Sequence, residues 1–114
     1  MLQELAPHRA RPIRRSGGLR KRGEALCRRI YGGVYGKMIA RMQGFHPDLA
    51  RWILEDGYGK VLSRPLLSVC ERELLVVAVL GMLDVPAQLK SHCLGAVRVG
   101  ADEAQVQAML RVSR

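Results

Sequence analysis

Ser68-Val69-Cys70-Glu71-Arg72-Glu73-Leu74-Leu75-Val76-Val77-Ala78-Val79-Leu80-Gly81-Met82-Leu83 is the stretch that decides the fold. It opens on a capping box: the serine oxygen accepts an amide proton with no helical partner, and the glutamate three residues on reaches back to the serine amide. A helix over Val69 to Leu83 is therefore expected. From Leu74 to Leu83 only Gly81 interrupts the apolar side chains, a run about half as long as a membrane-spanning helix needs. No membrane insertion is expected. A helix with no polar face must be surrounded, and a small domain has few other helices with which to do it. Burial by a second copy of the chain is the expected solution.

Working outward, Pro86 sits at a helix start and Gly100 at a helix stop, so the next helix spans Pro86 to Val99. Asp102 and Gln105 repeat the capping pattern for a last helix, Glu103 to Val112. Upstream, Phe45-His46-Pro47 reads as a helix entry, with Asp48 beside the positive end of the dipole. Leu49, Trp52, Ile53, Val61 and Leu62 continue as a helical stripe until Pro65, with Gly57 and Gly59 leaving its middle uncertain. Before it stand a helix from near Leu19 to Tyr31, punctuated by Gly32-Gly33, and a shorter one from Val34 to Gln43 closing at Gly44.

The composition agrees with this reading. The 114 residues, 48% hydrophobic and 25% charged, suffice for one compact domain. Only 4% are aromatic, which disfavours a β-sandwich or barrel. The expected fold is a small all-α bundle of about five to six helices, completed by oligomerisation. The formal charge is +9, and residues 1–33 hold nine Lys/Arg against Glu4 and Glu24. Residues 1–18 are thus expected to be a basic extension without stable structure, followed by a helical domain over 19–114. Such an arm can neutralise phosphates of nucleic acid or bind an acidic partner, but it has no interleaved aromatics, zinc ligands or recognition-helix pattern, and this role is not favoured.

Cys27, Cys70 and Cys93 have no metal-ligand spacing. Free thiols in a reducing, cytoplasmic compartment are the expectation, with Cys27 and Cys93 packing as small apolar groups. His8, His46 and His92 show no metal spacing either, and neither metal nor cofactor is expected.

Tyr58-Gly59-Lys60-Val61-Leu62-Ser63-Arg64-Pro65, Arg72-Glu73-Leu74, Gln88-Leu89-Lys90-Ser91-His92, Gly95-Ala96 and Gly100-Ala101 together resemble the carboxymuconolactone decarboxylase family. Tyr31-Gly32 and Phe45-His46-Pro47-Asp48-Leu49 extend the likeness over roughly Gly23 to Leu110. The resemblance implies an all-helical chain of the alkylhydroperoxidase D-like type, assembled as a trimer or hexamer. The peroxidase branch of that superfamily uses a glutamate, a C-x-x-C pair and a histidine. On this chain the glutamate falls on Glu73 and the histidine on His92, while the cysteine positions fall on Val85 and Gln88. Thiol peroxidation needs an attacking thiolate and a resolving thiol, so the resemblance implies the decarboxylase-like branch: a lyase acting on a small unsaturated lactone acid or a related carboxylate.

Glu73 and His92 lie on helices expected to run antiparallel through a turn near Asp84-Val85. At about 1.5 Å per residue they stand about 17 and 11 Å from that turn, offset by roughly one helical turn. A direct hydrogen bond, a bridging water and a subunit contact are all consistent with that offset. In the bland alternative Glu73 is a first-turn dipole partner and His92 a satisfied interior histidine. In the catalytic reading His92 delivers a proton to carbon after carbon dioxide leaves, Glu73 orients the imidazole, and Arg64, Arg72 and Lys90 hold substrate carboxylates. Cys70, in the first turn of its helix, could serve as a single redox thiol, with a buried inert cysteine as the alternative. Two further functions stand beside the lyase: an antioxidant hydroperoxidase using Cys70 or Cys93, and a non-catalytic oligomeric module binding through its basic arm.

Overall fold

The computed structural model describes residues 16–113; most of the basic extension lies outside them. Among the described residues all regular structure is helical: α1 Ser16–Tyr31, α2 Tyr35–Phe45, α3 Pro47–Trp52, α4 Val69–Met82, α5 Pro86–Arg98 and α6 Glu103–Val112. A 3₁₀ turn, Gly32–Val34, joins α1 to α2, and a π-helical segment, Ile53–Leu62, continues α3. The all-α expectation is met. No helix among the described residues is long and apolar enough to cross a membrane.

The caps do what their sequences dictate. Ser68 Oγ accepts from the Glu71 amide at 3.1 Å and Glu71 Oε2 accepts from the Ser68 amide at 2.7 Å. Asp102 and Gln105 repeat this reciprocal pair at 2.8 and 3.0 Å at the start of α6. α5 ends in a Schellman motif. The Ala101 amide reaches Ala96 O at 2.9 Å and the Gly100 amide reaches Val97 O at 3.1 Å, a closure that puts Gly100 at φ +113°, where a side chain is strained.

Three boundaries depart from the sequence reading. α1 begins at Ser16 and not near Leu19, so Ser16-Gly17-Gly18 forms a helical first turn rather than the end of an unstructured extension. α2 passes through Gly44 and stops at Phe45, because an isolated glycine lowers helix stability without ending the helix. The stripe from Leu49 to Leu62 changes at Ile53 from α to π geometry and ends before Pro65. π-helix is rare and concentrates at functional sites; here the segment carries buried Leu54, Tyr58 and Gly59.

Two glycines explain how this segment meets α1. A Cβ at Gly23 would run into the backbone of Leu54 and Gly59, and one at Gly59 into the carbonyl of Leu19. The two helices therefore approach backbone to backbone, and Arg22 Nε adds a bond of 3.1 Å to Gly59 O. One core cluster forms around this contact from Leu26, Cys27, Ile30, Tyr35, Leu54 and Tyr58. A second gathers Val77, Ala96, Ala101 and Val106 from α4, α5 and α6. The opposite face of α4 stays uncovered in the single chain: Leu75 is 52% exposed, Val79 55%, Met82 71% and Leu83 62%.

Candidate functional site

Glu73 stands where the two clusters meet. It is fully buried, the one charged residue so placed among the described residues. Burying a carboxylate is unfavourable unless it is paired. Its partner is His92, whose Nδ1 lies 2.8 Å from Glu73 Oε2. The imidazole itself is only 12% exposed. Of the arrangements consistent with the sequence offset, the structure has the direct bond. The first-turn acid of α4 is Glu71, in the capping box, so Glu73 is not the dipole partner of the bland reading. It faces inward to α5.

The space for this pair is made by Gly95. A Cβ there would lie 2.6 Å from Ile30 Cγ2 and 3.0 Å from Glu73 Oε2, so α1, α4 and α5 converge on a residue without a side chain. The second carboxylate oxygen, Glu73 Oε1, is buried without a hydrogen-bond partner.

Beyond the imidazole the chain of contacts continues. Tyr31 Oη lies 3.4 Å from His92 Nε2, and Tyr58 donates to Tyr31 Oη at 3.1 Å. The rings meet edge to face, Tyr31 with His92 at 5.9 Å and Tyr31 with Tyr58 at 6.1 Å between centroids, a favoured aromatic geometry. Four elements contribute one residue each: Tyr31 from α1, Tyr58 from the π segment, Glu73 from α4 and His92 from α5. Arg98 fastens α5 to α1 through a bond of 3.0 Å to Ile30 O. The left-handed Gly32, at φ +55°, lies against that same side chain.

The electrostatics follow from burial. Desolvation raises the phenol pKa of Tyr31, opposed by the hydrogen bond from Tyr58, and raises that of Tyr58 further. Both remain phenols at neutral pH. Burial, and then the charge of Glu73, push the Cys27 thiol up to about 12. Cys27 is thus a neutral, apolar neighbour of the carboxylate, in keeping with its expected packing role. Cys93 also has its pKa raised by burial.

The remaining sequence candidates stand apart from this chain. Arg72 commits its guanidinium to the Arg64 and Pro65 carbonyls at 2.8 and 2.9 Å, tying down the turn before α4. Arg64 and Lys90 are exposed, and no hydrogen bond or ion pair among the described residues links either to Glu73 or His92. Cys70 packs against the Val77–Ala96 cluster. Tyr31 and Tyr58 entered the sequence reading only as parts of Tyr-Gly pairs. The available signal was that pairing: Gly32 supplies a left-handed turn and Gly59 a close approach, so both tyrosines flank positions with special backbone demands.

Comparison with known proteins corrects three expectations. No family model matches the chain. It is 36% identical over 94 residues to peroxisomal protein 2 of Schizosaccharomyces pombe, a match covering 82% of this chain and 44% of that protein. It is 32% identical over 81 residues to peroxisomal protein 2 of Saccharomyces cerevisiae, covering 70% and 29% respectively. The chain spans less than half the length of the curated relatives it matches. The resemblance to the carboxymuconolactone decarboxylase family is therefore overturned: these relatives carry another name and no family model supports it. The lyase function built on that resemblance falls with it, and the hydroperoxidase and arm-binding alternatives find no support in the relatives' names. A cytoplasmic location is likewise at odds with relatives named for the peroxisome. The misleading signal was real sequence spacing around Glu73 and His92, which reflects how helices pack but does not by itself fix chemistry.

Proposed function

We propose that this chain is a peroxisomal acid–base unit that moves a proton to or from an enolisable carbonyl compound, a ketone, aldehyde or ester, through the Tyr31–His92–Glu73 chain. One observation carries the reading: a fully buried carboxylate bonded at 2.8 Å to an imidazole whose other nitrogen faces a phenol oxygen at 3.4 Å. A buried carboxylate that orients an imidazole is a recurrent device for proton transfer, and positioned groups of this kind contribute about 10²–10⁴-fold to rate. The peroxisomal location rests on the names of the two relatives.

In this reading Glu73 fixes the ring orientation of His92 and supplies the counter-charge when the imidazole becomes imidazolium. Exchange in heavy water tests it. The protein is incubated with enolisable ketones, aldehydes and esters, and the deuterium entering at the carbon next to the carbonyl is read by mass spectrometry. The unmutated chain is expected to exchange, and His92→Gln and Glu73→Gln to lose about 10²-fold or more. Undiminished exchange in His92→Gln, or no exchange with any of these compounds, would remove the function. A tagged chain distributed outside peroxisomes would remove the location.

We also propose a homo-oligomer. The uncovered face of α4 is apolar, and its one cation, Arg72, is tied to backbone carbonyls. In a chain of charge +9 this is a surface on which a second copy can approach without like-charge contact. A groove of about 260 Å³ beside Leu75, Val76, Val79 and Leu80 runs along it.

A further inference from the structure

The directions of the hydrogen bonds single out one member of the relay. Taken as a carboxylate, Glu73 can only accept, which assigns the hydrogen of the 2.8 Å contact to His92 Nδ1. In the neutral imidazole Nε2 is then an acceptor, and the hydroxyl facing it is Tyr31. The Tyr31 oxygen in turn accepts from Tyr58. Every donor points one way, Tyr58 to Tyr31 to His92 to Glu73.

Protonation of Nε2 reverses the middle link. The Nε2–H now donates to the Tyr31 oxygen, which accepts from both His92 and Tyr58, and the phenol's own hydrogen is left without an acceptor among the bonds of the described residues. That hydrogen is then available to an acceptor outside these four residues. Access gives the same answer: Glu73 is fully buried, Tyr58 is 5% exposed, and Nε2 of the nearly enclosed imidazole is faced by Tyr31. Tyr31 is half-buried. The charged and titratable groups around it are Cys27 on its own helix, Tyr58 on the π segment, Glu73 on α4 and His92 on α5.

We infer that Tyr31 is the catalytic hydroxyl that exchanges the proton with the ligand, with His92 behind it as the proton reservoir and Tyr58 holding its oxygen. The inference deepens the acid–base function and rests on it. As the ligand's C–H bond breaks, its electron pair stays on the ligand and its proton forms an O–H bond to Tyr31. The original Tyr31 proton passes to Nε2. The products are a ligand anion, a neutral phenol and an imidazolium against the Glu73 carboxylate, so atoms and charge balance, and the reverse step returns the proton to the ligand.

The heavy-water assay separates this from a His92-only site. Tyr31→Phe keeps the ring and its packing and is expected to lose about 10²-fold or more of the exchange rate. Tyr58→Phe, which removes one neutral hydrogen bond, is expected to lose about tenfold. A fluorinated tyrosine in place of Tyr31 restores exchange and moves the alkaline limb of its pH profile to lower pH, because its more acidic phenol loses the relayed proton sooner; a structural role would leave that limb in place. Full exchange in a folded Tyr31→Phe chain, with His92→Gln inactive, would overturn this inference while leaving the acid–base function standing. An unmoved profile with the fluorinated tyrosine would overturn it too. Absence of exchange in the unmutated chain would overturn both.

Discussion

At the scale of single residues, Cys27 shows how burial rather than sequence neighbours sets reactivity. Its thiol is fully buried beside Glu73 and pushed up to about 12 from an ordinary 9.0. A thiol reagent at mildly alkaline pH should leave Cys27 unlabelled in the native chain and label it after unfolding; native labelling would contradict its placement. The same shift has a stability consequence. The folded value lies above the unfolded one, so this contribution is complete below pH 9.0 and is lost as pH rises towards about 12. Cys27→Ala is therefore expected to show a smaller drop in Tm over that alkaline window than the unmutated chain. Glu73 and His92 entered as a candidate pair through the family resemblance, and the turn near Asp84-Val85 with the helical rise set them about one turn apart. Their direct bond was not legible, since it depends on the missing side chain at Gly95. Nor was the contribution of Tyr31 and Tyr58, which arrive from α1 and the π segment through contacts distant in sequence.

At the scale of the elements, both capping boxes, the proline entries and the Gly100 stop were readable because each depends on residues within one turn. The Glu71 carboxyl is held below its ordinary 4.5 by hydrogen bonds with Ser68, the backbone amide first. A lowered folded value means the contribution is present above pH 4.5 and lost as pH falls through the folded value. Ser68→Ala should lower stability by about 1 kcal/mol at neutral pH, and Glu71→Gln should flatten the acid limb of the Tm profile. An unchanged acid limb would show that Glu71 does not cap α4. The π geometry of Ile53–Leu62 was not readable, because the apolar stripe is equally compatible with an ordinary α-helix, and the close approach to α1 joins residues distant in sequence. Gly59→Ala tests that contact. A methyl there meets the Leu19 carbonyl, and overpacking of this kind costs about 1–3 kcal/mol, occasionally more. A stable Gly59→Ala chain with unchanged Tm would contradict the backbone approach.

At the scale of the whole molecule, the apolar run Leu74 to Leu83 predicted both a central helix and a need for cover. The chain itself covers only the Glu73 and Val77 side of α4. Sedimentation or light scattering is expected to give a multiple of the 12.7 kDa chain, and Leu75→Glu with Val79→Glu to shift it to the single-chain mass with helicity retained. A single-chain mass for the unmutated protein would remove the oligomer without touching the proton relay. Nitrogen NMR of the His92 imidazole reads the relay itself. Hydrogen is expected on Nδ1 and a hydrogen-bond-accepting Nε2 in the neutral ring, with the Nε2 resonance moving downfield in Tyr31→Phe. Hydrogen on Nε2, or a ring indifferent to Glu73→Gln and Tyr31→Phe, would contradict it.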